Sequence, residues 1–189
     1  MTARQAFAVL LCEHIAPALA AEGFERDGQT FRRPVERNWE VIGVEHSPVC
    51  ESDHVKLGAQ LAVGIDRLRA MGHGWPEGRR PRGGECHFEV GLGQLLTGRD
   101  TWWNLRPNTD LDMLGETLTE AIRRYGLPWL EARSSDERLR NTYLAELDSV
   151  AWWELRPLRE LVEQLGPNEA REALDAELRR RAENEASDS

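Results

Sequence analysis

Features of secreted and membrane proteins are scarce in this sequence. Only three of the 189 residues are cysteine, and this small, odd number indicates reduced thiols and a cytoplasmic location. No apolar run approaches the roughly 18 residues that a membrane span requires, and Glu13, His14 and Pro17 interrupt the apolar N-terminal stretch. We therefore expect a protein that is neither secreted nor inserted in a membrane.

The familiar catalytic and nucleotide-binding motifs are also missing. The chain has no P-loop, no GxGxxG after a predicted strand, no GxSxG and no HExxH. Nucleotide-driven enzymes and the common hydrolases thus lose their usual signatures, and we expect no cofactor.

Lysine is nearly absent, and the charge of the chain is strongly negative. Lys56 is the single lysine, and 24 basic residues stand against 33 acidic ones, for a net charge of −9. Residues 131–189 carry 15 acidic residues and 9 arginines, so the C-terminal third is the acidic part. Because such a chain is repelled by nucleic acid phosphates and anionic membranes, we predict neither as a partner.

The remaining composition is that of a folded soluble protein, with 40% hydrophobic and 30% charged residues. Alternating apolar residues predict strands over 39–46, 54–65 and 86–90, and Asp27-Gly28 predicts a two-residue hairpin turn. Spacings of three and four predict a helix over 2–22 that ends at Gly23, and four more helices over 111–125, 134–147, 157–165 and 168–182.

One face of the strand over 54–65 is unusually small, because it carries Gly58, Ala62 and Gly64. Small residues let another segment approach the sheet closely. A helix packed on this face is the ordinary interpretation, and a bound ligand is the alternative.

A Gly- and Pro-rich loop follows over residues 71–85. It contains a basic cluster, Arg79, Arg80 and Arg82, together with Trp75, whose ring can stack on a planar group. A solvated loop is the ordinary interpretation, and contact with a phosphate or an acidic partner is the alternative.

The hexapeptide Trp-Trp-x-Leu-Arg-Pro occurs twice, at 102–107 and 152–157. Each copy is interpreted as an aromatic anchor that leads into a helix, because proline suits a first helical turn. The two copies can be the same packing motif used twice or the result of a duplication. One copy can also form a homodimer or partner surface, for which Trp102 and Trp103 are candidates.

The order of several short motifs resembles the bacterial DUF4304 family over roughly residues 5–132. The motifs are Gly23-Phe24, the Thr30–Arg33 arm, the strand from Trp39 to His46-Ser47, the Cys86 strand, Trp102-Trp103-x-Leu and Leu127–Leu130. The resemblance implies an α+β fold with one mainly antiparallel sheet, packed by an N-terminal helix and a helical C-terminal half. We predict a core domain over 1–132 and an acidic helical extension over 133–189, packed on or beside it.

Five residues could supply the imidazole and thiolate ligands that zinc prefers: His46, Cys50, His54, Cys86 and His87. Any four of them would complete a tetrahedral site. Their spacing does not match CxxC pairs, however, and buried cysteines and boundary histidines explain them more simply, so we expect no metal.

Two function classes remain. An enzyme would use His46 or His87 as general base with Glu45 or Glu89 as the orienting carboxylate. A non-catalytic binding module, immunity-like in style, is favoured by the acidic surface, the paired tryptophans and the arginine loop. It would bind another protein or a small ligand through His46, Trp75, His87, Glu89 and the arginines and tryptophans named above.

Overall fold

The computed structural model describes residues 1–47, 54–71 and 74–187 and confirms the α+β fold. Its six strands form one antiparallel sheet. They are β1 (Glu25–Asp27), β2 (Thr30–Val35), β3 (Asn38–His46), β4 (Val55–Gly64), β5 (Phe88–Gly91) and β6 (Trp103–Leu105).

The strands follow the order β1-β2-β3-β4-β5, and β6 shares the outer edge of β4 with β5. β5 pairs with the second half of β4, where Phe88 lies opposite Val63. β6 pairs with its first half, where Leu105 lies opposite Val55. The long alternating strand predicted from the sequence is therefore the centre of the sheet.

Eight α-helices complete the described part of the chain. They are α1 (Ala3–Val9), α2 (Ala16–Ala21), α3 (Leu92–Thr97), α4 (Leu111–Ala121), α5 (Leu127–Glu131), α6 (Asp136–Ala145), α7 (Trp152–Leu165) and α8 (Asn168–Ser187). None of them is long and apolar enough to cross a membrane.

Two π-helical turns join neighbouring helices into longer ones. Leu10–Ile15 links α1 to α2, and Ile122–Gly126 links α4 to α5. A π-turn inserts an extra residue into the helical repeat, so the first helix buries Leu19 whereas Ala18 is only half-buried. Gly126 does not end its helix as a cap; it lies against Leu61 of the sheet.

The hydrophobic core lies on one face of the sheet and continues into the C-terminal helices. Phe31, Ile42 and Leu61 are fully buried on the sheet. The same cluster includes buried side chains from the N-terminal helix, α4, α6, α7 and α8. The helices after residue 132 thus pack on the sheet domain.

The small face of β4 is covered by loops, and the helix expected there is not found. The ring of Trp75 lies 3.0 Å from the position of a Cβ on Gly64, and the ring of Trp102 lies 3.1 Å from one on Gly58. The backbone oxygen of Pro81 accepts a hydrogen bond from Arg32 Nε at 2.6 Å. The described part of the loop over 74–85 therefore packs on the sheet through Trp75 and Pro81.

Several local predictions were displaced by a residue or more. The first hairpin turn is Gly28-Gln29, because Asp27 pairs with Thr30. Helix α4 is capped by Asp110, which accepts a hydrogen bond from the Met113 N–H at 3.0 Å. Similarly, Ser135 caps α6 where Ser134 was predicted.

Candidate functional site

Two adjoining cavities form a cleft where α7 begins beside the outer edge of β5. The first cavity, of about 300 Å³, is lined mainly by Met71, Cys86, His87, Arg156 and Pro157. The second, of about 250 Å³, is lined mainly by Gln94, Trp129, Arg133, Tyr143, Glu146 and Glu154. Glu89 and Trp153 line both, so these two side chains join the cavities into one cleft.

Trp153 is the most exposed of the large hydrophobic side chains in the described part of the chain. Seventy per cent of its surface is accessible. An aromatic side chain this exposed beside a cavity is typical of a binding surface. Trp153 occupies this position as the second residue of α7, which starts at Trp152.

Glu154 fixes the start of α7 and is itself buried. Its Oε1 accepts a hydrogen bond from the Tyr143 hydroxyl at 2.8 Å, and its Oε2 accepts one from the Ala151 N–H at 3.2 Å. Helix α7 is therefore anchored to α6 through a polar group in the cleft.

Arg133 forms the floor of the second cavity, and only 7% of it is exposed. Its guanidinium stacks between the rings of Trp129 and Tyr143, at 4.7 and 5.2 Å from their centroids. It donates to Glu146 Oε2 at 2.6 Å and to the Trp129 carbonyl at 3.4 Å. Its buried Nε–H has no acceptor among the described residues.

Two carboxyl groups of the second cavity, those of Glu89 and Glu154, are costly to ionise. Burial raises the pKa of Glu154 despite its hydrogen bonds from Tyr143 and Ala151. Partial burial also raises the pKa of Glu89; a hydrogen bond from Gln60 opposes this rise, and the nearby Glu45 carboxylate adds to it. A cation in the cleft would stabilise both carboxylates.

The first cavity is less polar and holds two weakly reactive groups. Burial raises the pKa of the Cys86 thiol, which therefore stays protonated and is a poor nucleophile and metal ligand. Burial lowers the pKa of His87, whose Nε2 donates to the Met71 carbonyl at 3.2 Å. His87 is thus neutral near pH 7, and its donating nitrogen is already used.

Of the residues selected from the sequence, the structure brings Cys86, His87 and Glu89 into the cleft. The arginine loop is largely neutralised: Arg79 pairs with Glu85 at 2.6 Å, and Arg80 pairs with Glu25 and stacks on Trp39. The three selected tryptophans, Trp75, Trp102 and Trp103, pack on the sheet or the core. Arg82 is exposed and makes no ion pair among the described residues.

The possible zinc ligands lie at opposite ends of β4. His54 precedes this strand and contacts Asn104 Oδ1 at 2.8 Å, whereas Cys86 lies beside Gly64 at its far end. The two ends are about 30 Å apart, at about 3.3 Å per residue. A site with four of the five residues would have to span this distance. Cys50 lies outside the described residues, among which no group of three potential ligands is found.

His46 lies far from the cleft, at the end of β3. Its ring packs edge-on against Phe7, with centroids 5.4 Å apart. Glu45 is its neighbour on the same strand, so the two side chains point to opposite faces of the sheet. The acid–base pair considered for this position is therefore not assembled.

Comparison with protein-family models matches residues 15–132 to DUF4304, a domain of unknown function. This region contains the whole sheet from β1 to β6 and amounts to more than half of the chain. The chain belongs to the DUF4304 family. Among curated proteins and solved structures, no match to this chain was found.

The cleft of this DUF4304 protein lies at the limit of the family match. Glu89, Gln94 and Trp129 belong to the matched region, whereas Arg133 and Trp153 come after it. Sequence reasoning missed Arg133, which lies in no motif, and Glu154, which is the variable residue of the second Trp-Trp-x-Leu-Arg-Pro copy. The one available signal was the second Trp-Trp pair. It marked the segment that contains Trp153, but it did not indicate which residues Trp153 would lie beside.

Proposed function

We propose that this protein is a non-catalytic interaction module of the cytoplasm that binds a basic segment of another protein in the cleft beside α7. The observation that carries the proposal is the exposed Trp153 between two cavities that share Glu89. Exposed aromatic residues beside pockets are the usual anchors of protein interfaces.

The charge of the molecule supports a basic partner. The chain has a net charge of −9, and the helices that form one wall of the cleft belong to its acidic C-terminal third. Such a field accelerates the encounter with a basic partner and disfavours nucleic acids and anionic membranes.

The chemistry of the cleft favours binding over catalysis. The Cys86 thiol is protonated, and His87 is neutral with one nitrogen already donating to a carbonyl oxygen. A nucleophile or general base needs an activated group within reach of the substrate. The remaining groups are arranged to hold a ligand.

Native mass spectrometry with a peptide pool tests this function. The full chain is incubated with blocked tetrapeptides that carry arginine, lysine, glutamine or glutamate at their two central positions. We expect the protein to bind the basic peptides without changing their mass. We also expect the bound fraction to fall as the ammonium acetate concentration rises.

Two variants make the test specific. Trp153→Ala should no longer bind the basic peptides. Met113→Ala, which removes an exposed side chain from α4, away from the cleft, should still bind them. Retention of the glutamate peptides, or of none, contradicts the proposal. Conversion of a peptide to a new mass would show an enzyme.

A further inference from the structure

We infer that the second cavity is the subsite for an arginine side chain, whose guanidinium lies between the indole of Trp153 and the carboxylates of Glu89 and Glu154. This inference rests on the proposed function and names the group that the partner inserts.

The charges of the cavity leave a place for one more cation. Three carboxyl groups, those of Glu89, Glu146 and Glu154, line it together with one guanidinium, that of Arg133. Arg133 pairs with Glu146 at 2.6 Å. Glu89 and Glu154 make no ion pair among the described residues. Glu89 is exposed and can pair with an incoming cation, while the buried Glu154, whose oxygens accept from Tyr143 and Ala151, adds negative charge beside it.

The aromatic groups of the cavity also leave one face unused. Arg133 already stacks on Trp129 and Tyr143. Trp153 is 70% exposed and stacks on no cation among the described residues. A guanidinium is planar, stacks on indole and binds a carboxylate through two parallel hydrogen bonds. An ammonium group stacks on indole less well and cannot form the paired hydrogen bonds. The geometry therefore favours arginine over lysine.

The neighbouring cavity directs the cation to this subsite. Arg156 lines the first cavity and makes no ion pair among the described residues. It repels a second guanidinium there, and the protonated Cys86 and neutral His87 offer no charge to hold one. The carboxylate of Glu85, which also lines this cavity, is already paired with Arg79 at 2.6 Å. The second cavity is thus the more favourable position.

One unpaired side-chain group can bind the rest of the segment. The buried Nε–H of Arg133 lacks an acceptor in the described structure and can donate to a carbonyl oxygen of the ligand.

The test uses the full chain and three blocked pentapeptides, Gly-Gly-Xaa-Gly-Gly, with arginine, lysine or glutamine at the centre. Binding is measured by NMR titration of the backbone amides and tryptophan indoles up to about 10 mM peptide, a range that covers millimolar dissociation constants. We expect the arginine peptide to bind at least about threefold more tightly than the lysine peptide, and the glutamine peptide not to bind.

Two variants locate the subsite. Glu89→Gln and Trp153→Ala should each weaken binding of the arginine peptide by about tenfold, the effect of a lost charge-assisted contact. The matched controls are Glu120→Gln and Met113→Ala, which change an exposed acid and an exposed apolar side chain on α4 and should leave binding unchanged. Chemical shift dispersion reports that each variant is folded.

The outcomes separate the inference from the proposed function. If the wild-type chain binds none of the three peptides, both fail. If it binds the lysine peptide as tightly as the arginine peptide, or if Glu89→Gln binds like Glu120→Gln, the basic-partner function stands and the arginine subsite is wrong. If Trp153→Ala binds like Met113→Ala, both fail.

Discussion

Glu177 on α8 holds the last two helices together through paired arginines. Its carboxylate accepts from Arg180 at 2.6 Å and from Arg181 at 2.6 Å. Arg181 in turn donates to the carbonyls of Val150 and Leu147, at 2.7 and 2.8 Å, just before α7. The hydrogen bonds from Arg180 and Arg181 lower the pKa of Glu177 to about 2.

This network predicts a pH-dependent loss of stability in Glu177→Gln. The folded pKa lies below the unfolded one, so the carboxylate stabilises the fold above about pH 4.3 and less as the pH falls toward 2. We expect the variant to be less stable by about 1–2 kcal/mol at pH 7, with a smaller difference at pH 3. Urea unfolding at both pH values measures this.

Glu172→Gln is the control, because Glu172 is exposed on the same helix. It should match the wild type at both pH values. An equal loss of stability for Glu177→Gln at pH 7 and pH 3 would contradict the role of its ionised form.

At the scale of elements, α4 packs closely against the N-terminal helix. A Cβ on Gly115 would lie 2.6 Å from both the Cβ and the Cγ of His14. His14 is half-buried there, and its Nε2 lies 3.6 Å from Asp112 Oδ1. Gly115 therefore sets how closely the two helices approach.

The contact predicts that Gly115→Ala lowers the free energy of unfolding, whereas a Gly→Ala change in a helix usually raises it. In an exposed helix interior this change stabilises a protein by up to about 1 kcal/mol. Here we expect a loss of about 1–3 kcal/mol, because the new methyl group meets the His14 Cβ and the helices must separate. Thermal unfolding followed by circular dichroism measures the change. Glu116→Ala, at the exposed neighbour, should cause no such loss; a more stable Gly115→Ala would show that the contact is not tight.

The two Trp-Trp-x-Leu-Arg-Pro copies show how tertiary contacts decide local structure. In the first, residues 103–105 form β6 and pair with β4. In the second, the hexapeptide is the first part of α7, with Pro157 inside the helix. Neither copy is the anchor before a helix that the sequence predicted. The first copy forms a strand because it pairs with the open edge of β4, and the second lies inside α7, whose start is stabilised by the buried Glu154.

For the whole molecule, the core extends without interruption from the sheet to the last helix. Phe88 of β5 packs on Tyr143 of α6 with ring centroids 4.8 Å apart. Asn38 of β3 donates to Asp136 Oδ1 at 2.9 Å and accepts from the Asp66 N–H at 3.1 Å. The division into a domain over 1–132 and an extension over 133–189 stays a prediction, which unfolding can test.

A continuous core predicts a single unfolding transition. Leu174 of α8 is fully buried, and Leu174→Ala should lower the free energy of unfolding by about 2–5 kcal/mol. We expect circular dichroism and tryptophan fluorescence to give coincident urea transitions for this variant and for Leu61→Ala in the sheet. A separate, earlier transition in Leu174→Ala alone would show that the C-terminal helices unfold independently.

The sequence by itself determined the elements whose pattern is long and regular: the N-terminal helix, the alternating strands β3 and β4, α4 and the C-terminal helices. It also determined the α+β class and the family, because ordered motifs and apolar periodicity are local properties of the chain. Only the tertiary structure decided what covers Gly58 and Gly64, where the first Trp-Trp pair lies, and that Glu89 meets Arg133, Trp153 and Glu154. Those contacts join residues that are far apart in sequence, and their partners are selected by burial and by pairing of polar groups, which no short pattern records.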